Sequence, residues 1–183
     1  MKPILYLIAG ANGSGKTTLG RELLREKTNL VFLNTDDIAA KIGDKIGLQS
    51  GRAIQEKLYE ILGSKKSFVW ESTISGVHHL RIIEKARAAK YEIVLIYVFL
   101  GSVDLNIARV QKRMSMGGHK VSETDIRRRF QRSILNFPAV KKLADHWELY
   151  YNGDDNYELV ARGADGFEET IDEDKLKKFK AIK

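Results

Sequence analysis

The feature that most constrains the fold of this chain is a glycine-rich segment directly after an apolar run near the N-terminus. Residues Ile4–Ala9 are continuously apolar, as expected of a strand buried on both faces of a sheet. The segment Gly10–Thr17 reads GANGSGKT and matches G-x-x-x-x-G-K-[ST]. A helical pattern begins at Lys16, so the segment joins a buried strand to a helix. We therefore predict a phosphate-binding loop (P-loop) rather than a glycine-rich turn with a solvated lysine.

Each residue type in this loop has a physical role. Glycines let the backbone approach a phosphate closely, and successive N–H groups at a helix N-terminus attract negative charge. Lys16 is expected to reach the β- and γ-phosphates of ATP, and Thr17 to hold Mg²⁺. The predicted nucleotide-binding residues are Gly10, Ala11, Asn12, Gly13, Ser14, Gly15, Lys16, Thr17 and Thr18.

Apolar runs and helical spacings alternate along most of the chain. Further strands are predicted at 30–33, 67–70, 92–100 and 147–151, with helices between them at about 16–26, 54–62, 80–89, 103–114 and 123–136. The alternation predicts an α/β P-loop kinase fold, with a central parallel sheet of about five strands and helices on both faces. We expect one domain over residues 1–183, with a helical lid at approximately 109–137 and a small C-terminal hairpin and helix at approximately 157–183.

Length and composition restrict the class of protein. A chain of 183 residues with 43% hydrophobic and 30% charged residues is typical of one globular domain. The chain has no Cys, which excludes disulfides, thiolate nucleophiles and Cys-based metal sites, and its four His lack a ligand spacing. No apolar run is long enough to cross a membrane and no signal-peptide pattern is present, so we expect a soluble, cytoplasmic protein.

The net charge of +7 is distributed unevenly. Residues 109–142 hold ten Lys and Arg against Glu123 and Asp125, whereas residues 145–174 hold eleven Asp and Glu against Arg162 alone. A basic protein is a candidate for nucleic-acid binding, but residues 109–129 contain no aromatic side chain on which bases could stack. The local excess fits a clamp for diphosphate and triphosphate groups better than a broad polyanion-binding face.

Two further polar clusters follow predicted strands at the sheet edge that carries the P-loop. Asp36 and Asp37 follow the second strand, where one could accept the proton of an acceptor hydroxyl and the other cap the next helix. Glu71 and Thr73 follow the third strand, where a carboxylate and a hydroxyl could hold a sugar or ribose. Because N-K-x-D and L-S-G-G-Q motifs are absent, a small kinase is favoured over a GTPase or a transporter ATPase.

A glycine-containing loop between two helices has the composition of a lid. Residues 114–120 read MSMGGHK and include His119, which is either a substrate or lid contact or an ordinary loop histidine. On the following helix, Arg128 and Arg132 lie opposite the predicted core face, and Arg127 and Arg129 flank it. Arg109 and Arg113 precede the loop, and a solvated basic face is the alternative interpretation for the whole set.

Together these segments resemble the zeta-toxin family of P-loop kinases, in its short single-domain bacterial members. The resemblance spans roughly residues 4–137 and is carried, in order, by GANGSGKTT, NTDDIA, ESTISG and RVQKRMSMGGHKVSETDIRRRFQRSILN. It implies ATP- and Mg²⁺-dependent phosphorylation of UDP-N-acetylglucosamine at the 3′-hydroxyl of the amino sugar. It also implies an antitoxin partner that covers the nucleotide site.

Carried over position by position, the resemblance implies site residues on both sides of the transferred group. Lys16 becomes the phosphate-binding lysine, Asp36 the general base, and Glu71 a sugar-nucleotide contact, with Thr73 nearby. The Gly117-Gly118-His119 loop departs from the family pattern, so the lid arginines are chosen from composition and position. The lid and acceptor residues so assigned are Arg113 and Arg129 as catalytic, and Asp37, His119 and Arg128 as substrate-binding.

Three functions fit the sequence. The first is a kinase acting on UDP-N-acetylglucosamine or another small phosphorylated substrate, with an antitoxin as its candidate partner and no membrane or nucleic acid involved. The second is a polynucleotide kinase or RNA-binding P-loop ATPase, in which affinity falls steeply with salt. The third is a regulatory module that holds nucleotide without turnover, which leaves Asp36 and Glu71 without a role. The first function is therefore favoured.

Overall fold

The computed structural model describes residues 2–27, 30–34, 48–118, 120–153 and 156–182. Strands and helices alternate through these ranges, with boundaries within a few residues of those predicted except at the ends of two helices. The elements are β1 (Ile4–Ala9), α1 (Lys16–Glu26), β2 (Val31–Asn34), α2 (Leu48–Ser64), β3 (Phe68–Ser72), α3 (His78–Ala88), β4 (Glu92–Phe99), α4 (Val103–Ser115), α5 (Glu123–Leu143), β5 (His146–Tyr151), β6 (Glu158–Ala164), β7 (Phe167–Thr170) and α6 (Glu173–Ala181).

One mixed sheet runs through the molecule, in the order β2-β3-β1-β4-β5-β6-β7. The first five strands in that order are parallel, and β6 and β7 are antiparallel. The predicted α/β class is confirmed, and five strands are parallel, as predicted; the sheet formed by the described residues has seven strands rather than five, because β6 and β7 join it. After β5 the chain turns and pairs back along it as β6, so the C-terminal hairpin extends the sheet instead of packing beside it.

The two faces of the sheet bury alternate residues of each strand. On β1, Leu5 and Leu7 pack into the larger core, which includes side chains of α2, α3, α5 and α6. Tyr6 and Ile8 pack into a smaller core that includes α1. Since both faces are covered, β1 is apolar at every position, and the P-loop that follows it begins from a rigid strand.

Helices α4 and α5 form the lid region and share a small core of their own. Ile107 and Val110 of α4 pack with Val121 and Ile126 at the start of α5. Helix α5 runs beyond the predicted end and continues through Pro138 to Leu143, because Val140 keeps its buried face in the main core. Across the described ranges, none of the helices combines the length and apolarity needed to cross a membrane.

Candidate active site

The P-loop is held from outside by side chains of distant elements. Three of them donate to carbonyl oxygens of the loop: Asn106 Nδ2 to Asn12 at 2.6 Å, Asn152 Nδ2 to Ser14 at 2.9 Å, and the Tyr157 hydroxyl to Gly15 at 2.7 Å. In a trans peptide the N–H points away from its carbonyl. Fixing these carbonyls outward therefore turns the N–H groups of Gly13, Gly15 and Lys16 toward the inside of the loop, where a phosphate would lie.

The contacts that hold the loop explain why two of its positions are glycine. Gly13 and Gly15 adopt positive φ angles of 80° and 102°. A Cβ at Gly13 would lie 2.6 Å from the backbone carbonyl oxygen of Asn106, and one at Gly15 would clash with Asn152 Nδ2. Both positions need glycine for its backbone conformation and for the close approach of the Asn106 backbone and the Asn152 side chain.

Lys16 is placed inside the loop. Its side chain is buried, and Nζ donates to the Ala11 carbonyl at 2.8 Å. A buried ammonium group acts in surroundings of low dielectric constant, so its attraction for phosphate oxygens is stronger than at the surface. A lysine inside the loop has an ammonium group within reach of phosphates bound there.

The carboxylate of Glu71 lies against the loop threonine. Its Oε1 accepts from the Thr17 hydroxyl at 3.0 Å, and its Oε2 accepts from Asn34 Nδ2 at 2.8 Å. The contact follows from the sheet, because Glu71 of β3 pairs in register with Ile8 of β1 and with Asn34 of β2. Glu71 and Asn34 are buried and Thr17 is half-buried, so the three side chains form a largely buried polar group at the mouth of the P-loop.

This group fits a magnesium ion bound together with a nucleotide. Hydroxyl and carboxylate oxygens are the hard ligands that Mg²⁺ prefers, and Mg²⁺ commonly binds through one or two protein oxygens, waters and substrate phosphates. The described part of the chain contains no cluster of three or more His, Cys, Asp or Glu that could hold a metal by itself. Thr17 and Glu71 are thus the residues that would hold the ion, with phosphate oxygens completing its coordination.

The structure describes some of the residues predicted to bind the phosphoryl acceptor. Asp36, Asp37 and His119 lie outside the described residues. Thr73 lies in the loop after β3, where its hydroxyl is 2.8 Å from that of Ser75. Helix α5 braces the same loop, since Asn136 Nδ2 donates to the Ile74 carbonyl at 2.7 Å.

The structure separates the lid arginines into two groups. Arg109, Arg113 and Arg129 are half-buried, whereas Arg127, Arg128 and Arg132 are exposed. Arg128 pairs with Asp125 at 2.5 Å, one turn away on α5. Arg127 joins α5 to α4 through Asp104 at 3.0 Å, and its hydrogen bonds to Glu123 and Asp104 raise its pKa. These exposed ion pairs lie within and between the lid helices. Acidic residues of the same helices therefore neutralise part of the positive charge of this basic segment.

A cleft of about 490 Å³ lies beside the P-loop, a volume typical of small-molecule sites. It is lined by Gly13, Gly15, Thr18, Glu22, Arg109, Asn152, Asn156 and Tyr157. Asn106, Asn152 and Tyr157 have functional contacts that the sequence patterns did not indicate. Asn152-Gly153 had a recognisable turn signal, but nothing local indicated that this turn reaches the P-loop.

A protein family, a curated relative and several solved structures are similar to this chain. The family described as zeta toxin matches residues 1–164. An uncharacterized protein of Haemophilus influenzae is 29% identical over 133 residues, covering 70% of this chain and 92% of that protein.

Two solved structures are similar in fold at low sequence identity. The AvrRxo1-ORF1:-ORF2 complex with ATP is 16% identical, with a TM-score of 0.77 over 97% of this chain. This chain spans only 63% of that protein's length. The PezAT toxin-antitoxin system of Streptococcus pneumoniae is 15% identical, with a TM-score of 0.65 over 88% of this chain and 72% of that one.

Proposed function

The chain belongs to the zeta-toxin family, and on that premise we propose that it is an ATP-dependent kinase with a sugar nucleotide as acceptor. UDP-N-acetylglucosamine or a close relative is the proposed substrate. The observation that carries the proposal is the arrangement of the P-loop. Side chains of distant elements hold the loop, Lys16 lies inside it, and Thr17 donates a hydrogen bond to the buried carboxylate of Glu71. Such an arrangement has the parts that phosphoryl transfer needs on the donor side.

In the proposed reaction, an acceptor hydroxyl oxygen attacks the γ-phosphorus as the bond to the β-phosphate oxygen breaks. Lys16 and the inward N–H groups of the loop stabilise the negative charge on the β- and γ-phosphates. Magnesium, when bound with ATP, neutralises the same oxygens. Asp36, outside the described residues, is the proposed base that receives the hydroxyl proton.

We assign Glu71 to the metal side of this site. The resemblance implied a sugar-nucleotide contact for Glu71, but in the structure its carboxylate accepts a hydrogen bond from Thr17, the proposed magnesium-binding residue. Thr73 and Ser75, in the loop that follows β3, have hydroxyls that lie 2.8 Å apart and are the proposed acceptor contacts. A carboxylate that orients Thr17 would fix the hydroxyl that helps to hold the ion.

Two of the half-buried lid arginines are the proposed partners of the transferred group. Arg113 ends α4 and Arg129 lies near the start of α5, on either side of the lid loop. Asp37 and His119 are proposed acceptor contacts at positions outside the described residues. Arg128 was predicted beside them, but its ion pair with Asp125 supports a role within the lid helix instead.

An antitoxin protein is the proposed partner, and the cytoplasm, which supplies ATP and sugar nucleotides, is the proposed compartment. Support for the partner comes from PezAT, which is a toxin-antitoxin system, and from AvrRxo1-ORF1, which forms a complex with AvrRxo1-ORF2. Neither complex identifies the surface of this chain that a partner would contact. Co-purification of this chain with the product of the adjacent gene would test the proposed partner.

The catalytic proposal is tested by ATP turnover in the presence of Mg²⁺ and a panel of acceptors. The panel contains UDP-N-acetylglucosamine, free N-acetylglucosamine and an oligonucleotide with a 5′-hydroxyl. Stimulation by the sugar nucleotide alone is expected, and it should be lost in Lys16→Met and retained in Lys112→Met, which alters an exposed lysine. Stimulation by the oligonucleotide alone would support the polynucleotide kinase alternative and contradict the proposal.

A further inference from the structure

The loop that follows β3, residues 73–77, contains a backbone conformation that its residue types do not favour. Ile74 has a φ angle of 46°, in the left-handed region where a β-branched residue is an outlier. Its side chain is 1% exposed and packs in the main core. Conformations of this kind persist only where the surrounding structure holds them, and they are concentrated at functional sites. Neighbouring groups must therefore hold Ile74 in place.

Two side chains hold the backbone groups of Ile74. The Ser72 hydroxyl accepts from the Ile74 N–H at 3.1 Å, and Asn136 Nδ2 donates to the Ile74 carbonyl at 2.7 Å. The same amide nitrogen lies 3.4 Å from the Gly76 carbonyl, so one side chain of α5 bridges two carbonyls of the loop. Because the core fixes the Ile74 side chain and these contacts fix its backbone, the loop is held in one conformation.

This conformation brings two hydroxyl groups together. Thr73 and Ser75 flank Ile74, and their half-buried hydroxyls lie 2.8 Å apart. In an extended strand, residues two positions apart are separated by roughly 6–7 Å, so the bend at Ile74 brings the two side chains closer than a strand would. A pair of hydroxyls that shares one hydrogen bond has a further O–H donor and several lone pairs, which suits a ligand with hydroxyl and amide groups.

Asn136 also connects this loop to the part of α5 that carries Arg129. The two residues are seven positions apart, about two helical turns, so they lie on the same face of α5. Between them on that face, Ser133 is buried, and its hydroxyl lies 2.8 Å from that of Tyr97 on β4. One helix, fixed to the central sheet, therefore holds both the acceptor loop and an arginine proposed to contact the transferred group.

We propose that Asn136 is a positioning residue for the phosphoryl acceptor. Its amide holds the loop 73–77 in the conformation that brings the Thr73 and Ser75 hydroxyls together, and it keeps this loop in a fixed place relative to Arg129. Asn136 acts through two backbone carbonyls of the loop and needs no contact with the acceptor itself. This inference rests on the proposed function and deepens it.

Kinetics with separate acceptor and donor titrations test this role in the full chain. Asn136→Asp keeps the shape of the side chain, but its carboxylate has no N–H to donate. With UDP-N-acetylglucosamine as acceptor, the acceptor KM is expected to rise about tenfold, while the ATP KM stays within about twofold of the wild-type value. Gln131→Glu makes the same amide-to-carboxylate change at an exposed position of α5 and should alter neither KM.

Asn136→Ala separates the lost hydrogen bonds from the added charge. It should raise the acceptor KM in the same way, because it also removes the donor to the loop. A rise in Asn136→Asp alone would assign the effect to repulsion of the negatively charged sugar nucleotide and would contradict the positioning role.

The second contact to Ile74 provides a double-mutant test. Ser72→Ala should also raise the acceptor KM, and Ser72→Ala combined with Asn136→Ala should raise it by less than the product of the two single effects. Non-additivity is expected because both side chains hold the same residue. Independent effects that multiply would show that the two contacts do not act through one backbone conformation.

Hydrogen–deuterium exchange of the ligand-free chain tests the contact without turnover. Asn136→Ala should speed exchange in peptides that cover residues 72–77 and leave exchange unchanged in peptides that cover the P-loop. Faster exchange throughout the chain would indicate a general loss of stability and would contradict a local role.

Failure of this inference is distinguishable from failure of the proposed function. An active wild-type chain with a normal acceptor KM in Asn136→Ala would overturn the role of Asn136 and leave the kinase proposal intact. A wild-type chain that phosphorylates none of the acceptors would overturn the proposed function and, with it, any acceptor-positioning role.

Discussion

At the scale of single residues, the buried Glu71 links the central sheet to the P-loop, where phosphoryl transfer is proposed. Its two oxygens accept from Thr17 on the loop and Asn34 on β2, and register on β3 fixes its position. A carboxylate held in this way has one orientation, so it can set the position of the threonine hydroxyl. Replacing the Glu71 carboxylate by an amide tests whether catalysis needs its negative charge or only its hydrogen bonds.

Glu71→Gln should lower kcat about a hundredfold, because the amide retains the shape but loses the charge that supports the ion. Steady-state ATP turnover at varied Mg²⁺ measures the effect, and half-saturation should move to higher Mg²⁺. Glu60→Gln changes an exposed glutamate on α2 and serves as the control. A normal rate in Glu71→Gln would remove Glu71 from the metal side of the site.

His79 provides a pH dependence of stability. Burial lowers the pKa of His79 below its ordinary value of 6.5, while a backbone contact with Gly76 partly opposes this. The folded state therefore keeps His79 neutral where the unfolded chain takes up a proton. Its contribution is intact above pH about 6.5 and is lost as the pH falls below that value.

Denaturant unfolding at pH 7.5 and 5.5 should reveal this loss as a lower free energy of unfolding at pH 5.5. The decrease should shrink in His79→Leu and persist in His78→Gln, which changes the exposed neighbour. An equal decrease in wild type and His79→Leu would assign the pH dependence to other groups.

At the scale of elements, the lid helix α5 begins with a serine N-cap. The Ser122 hydroxyl accepts from the Asp125 backbone N–H at 3.1 Å and also lies 3.0 Å from the Asp125 carboxylate. Asp125 in turn pairs with Arg128. The start of α5 is thus defined by side chains of its own first two turns.

Ser122→Ala should destabilise the protein by about 1 kcal/mol, because an N–H group at the helix start loses its acceptor. The free energy of unfolding in urea measures this cost. Thr124→Ala alters an exposed residue of the same turn and should have a much smaller effect. Equal costs in the two variants would show that the cap does not stabilise α5.

Local patterns predicted the elements and the P-loop but not the contacts that join them. Ile4–Ala9 and GANGSGKT could be interpreted because the signal lies within a few consecutive residues. Asn106, Asn152 and Tyr157 reach the loop from 94, 138 and 142 residues away, distances over which periodicity carries no information. Strand pairing also joins residues that are far apart in sequence, which is why the hairpin was not predicted as part of the sheet.

At the scale of the whole molecule, the C-terminal helix closes the main core. Phe179 of α6 packs against Tyr97, Phe99 and Phe137, with ring centroids 4.8–5.7 Å apart. The helix lies beyond residue 164, where the family match ends. These residues therefore complete a core whose other members lie within the matched region.

Phe179→Ala should cost about 3–5 kcal/mol, because it removes a buried ring from an aromatic cluster. Thermal and urea unfolding measure the loss. Phe167→Ala removes the same side chain from an exposed position on β7 and should change the free energy of unfolding by less than about 0.5 kcal/mol. A similar small effect at Phe179 would mean that α6 is peripheral to the core.

The proposed reaction is the transfer of the γ-phosphoryl group of ATP to a hydroxyl of a sugar nucleotide. Mass spectrometry of UDP-N-acetylglucosamine after incubation with the protein, ATP and Mg²⁺ tests this transfer. We expect a product heavier by one phosphoryl group, formed with ADP in equal amounts and absent with Lys16→Met. ATP hydrolysis to ADP and inorganic phosphate, with every sugar nucleotide tested recovered unmodified, would show that the chain does not catalyse this transfer.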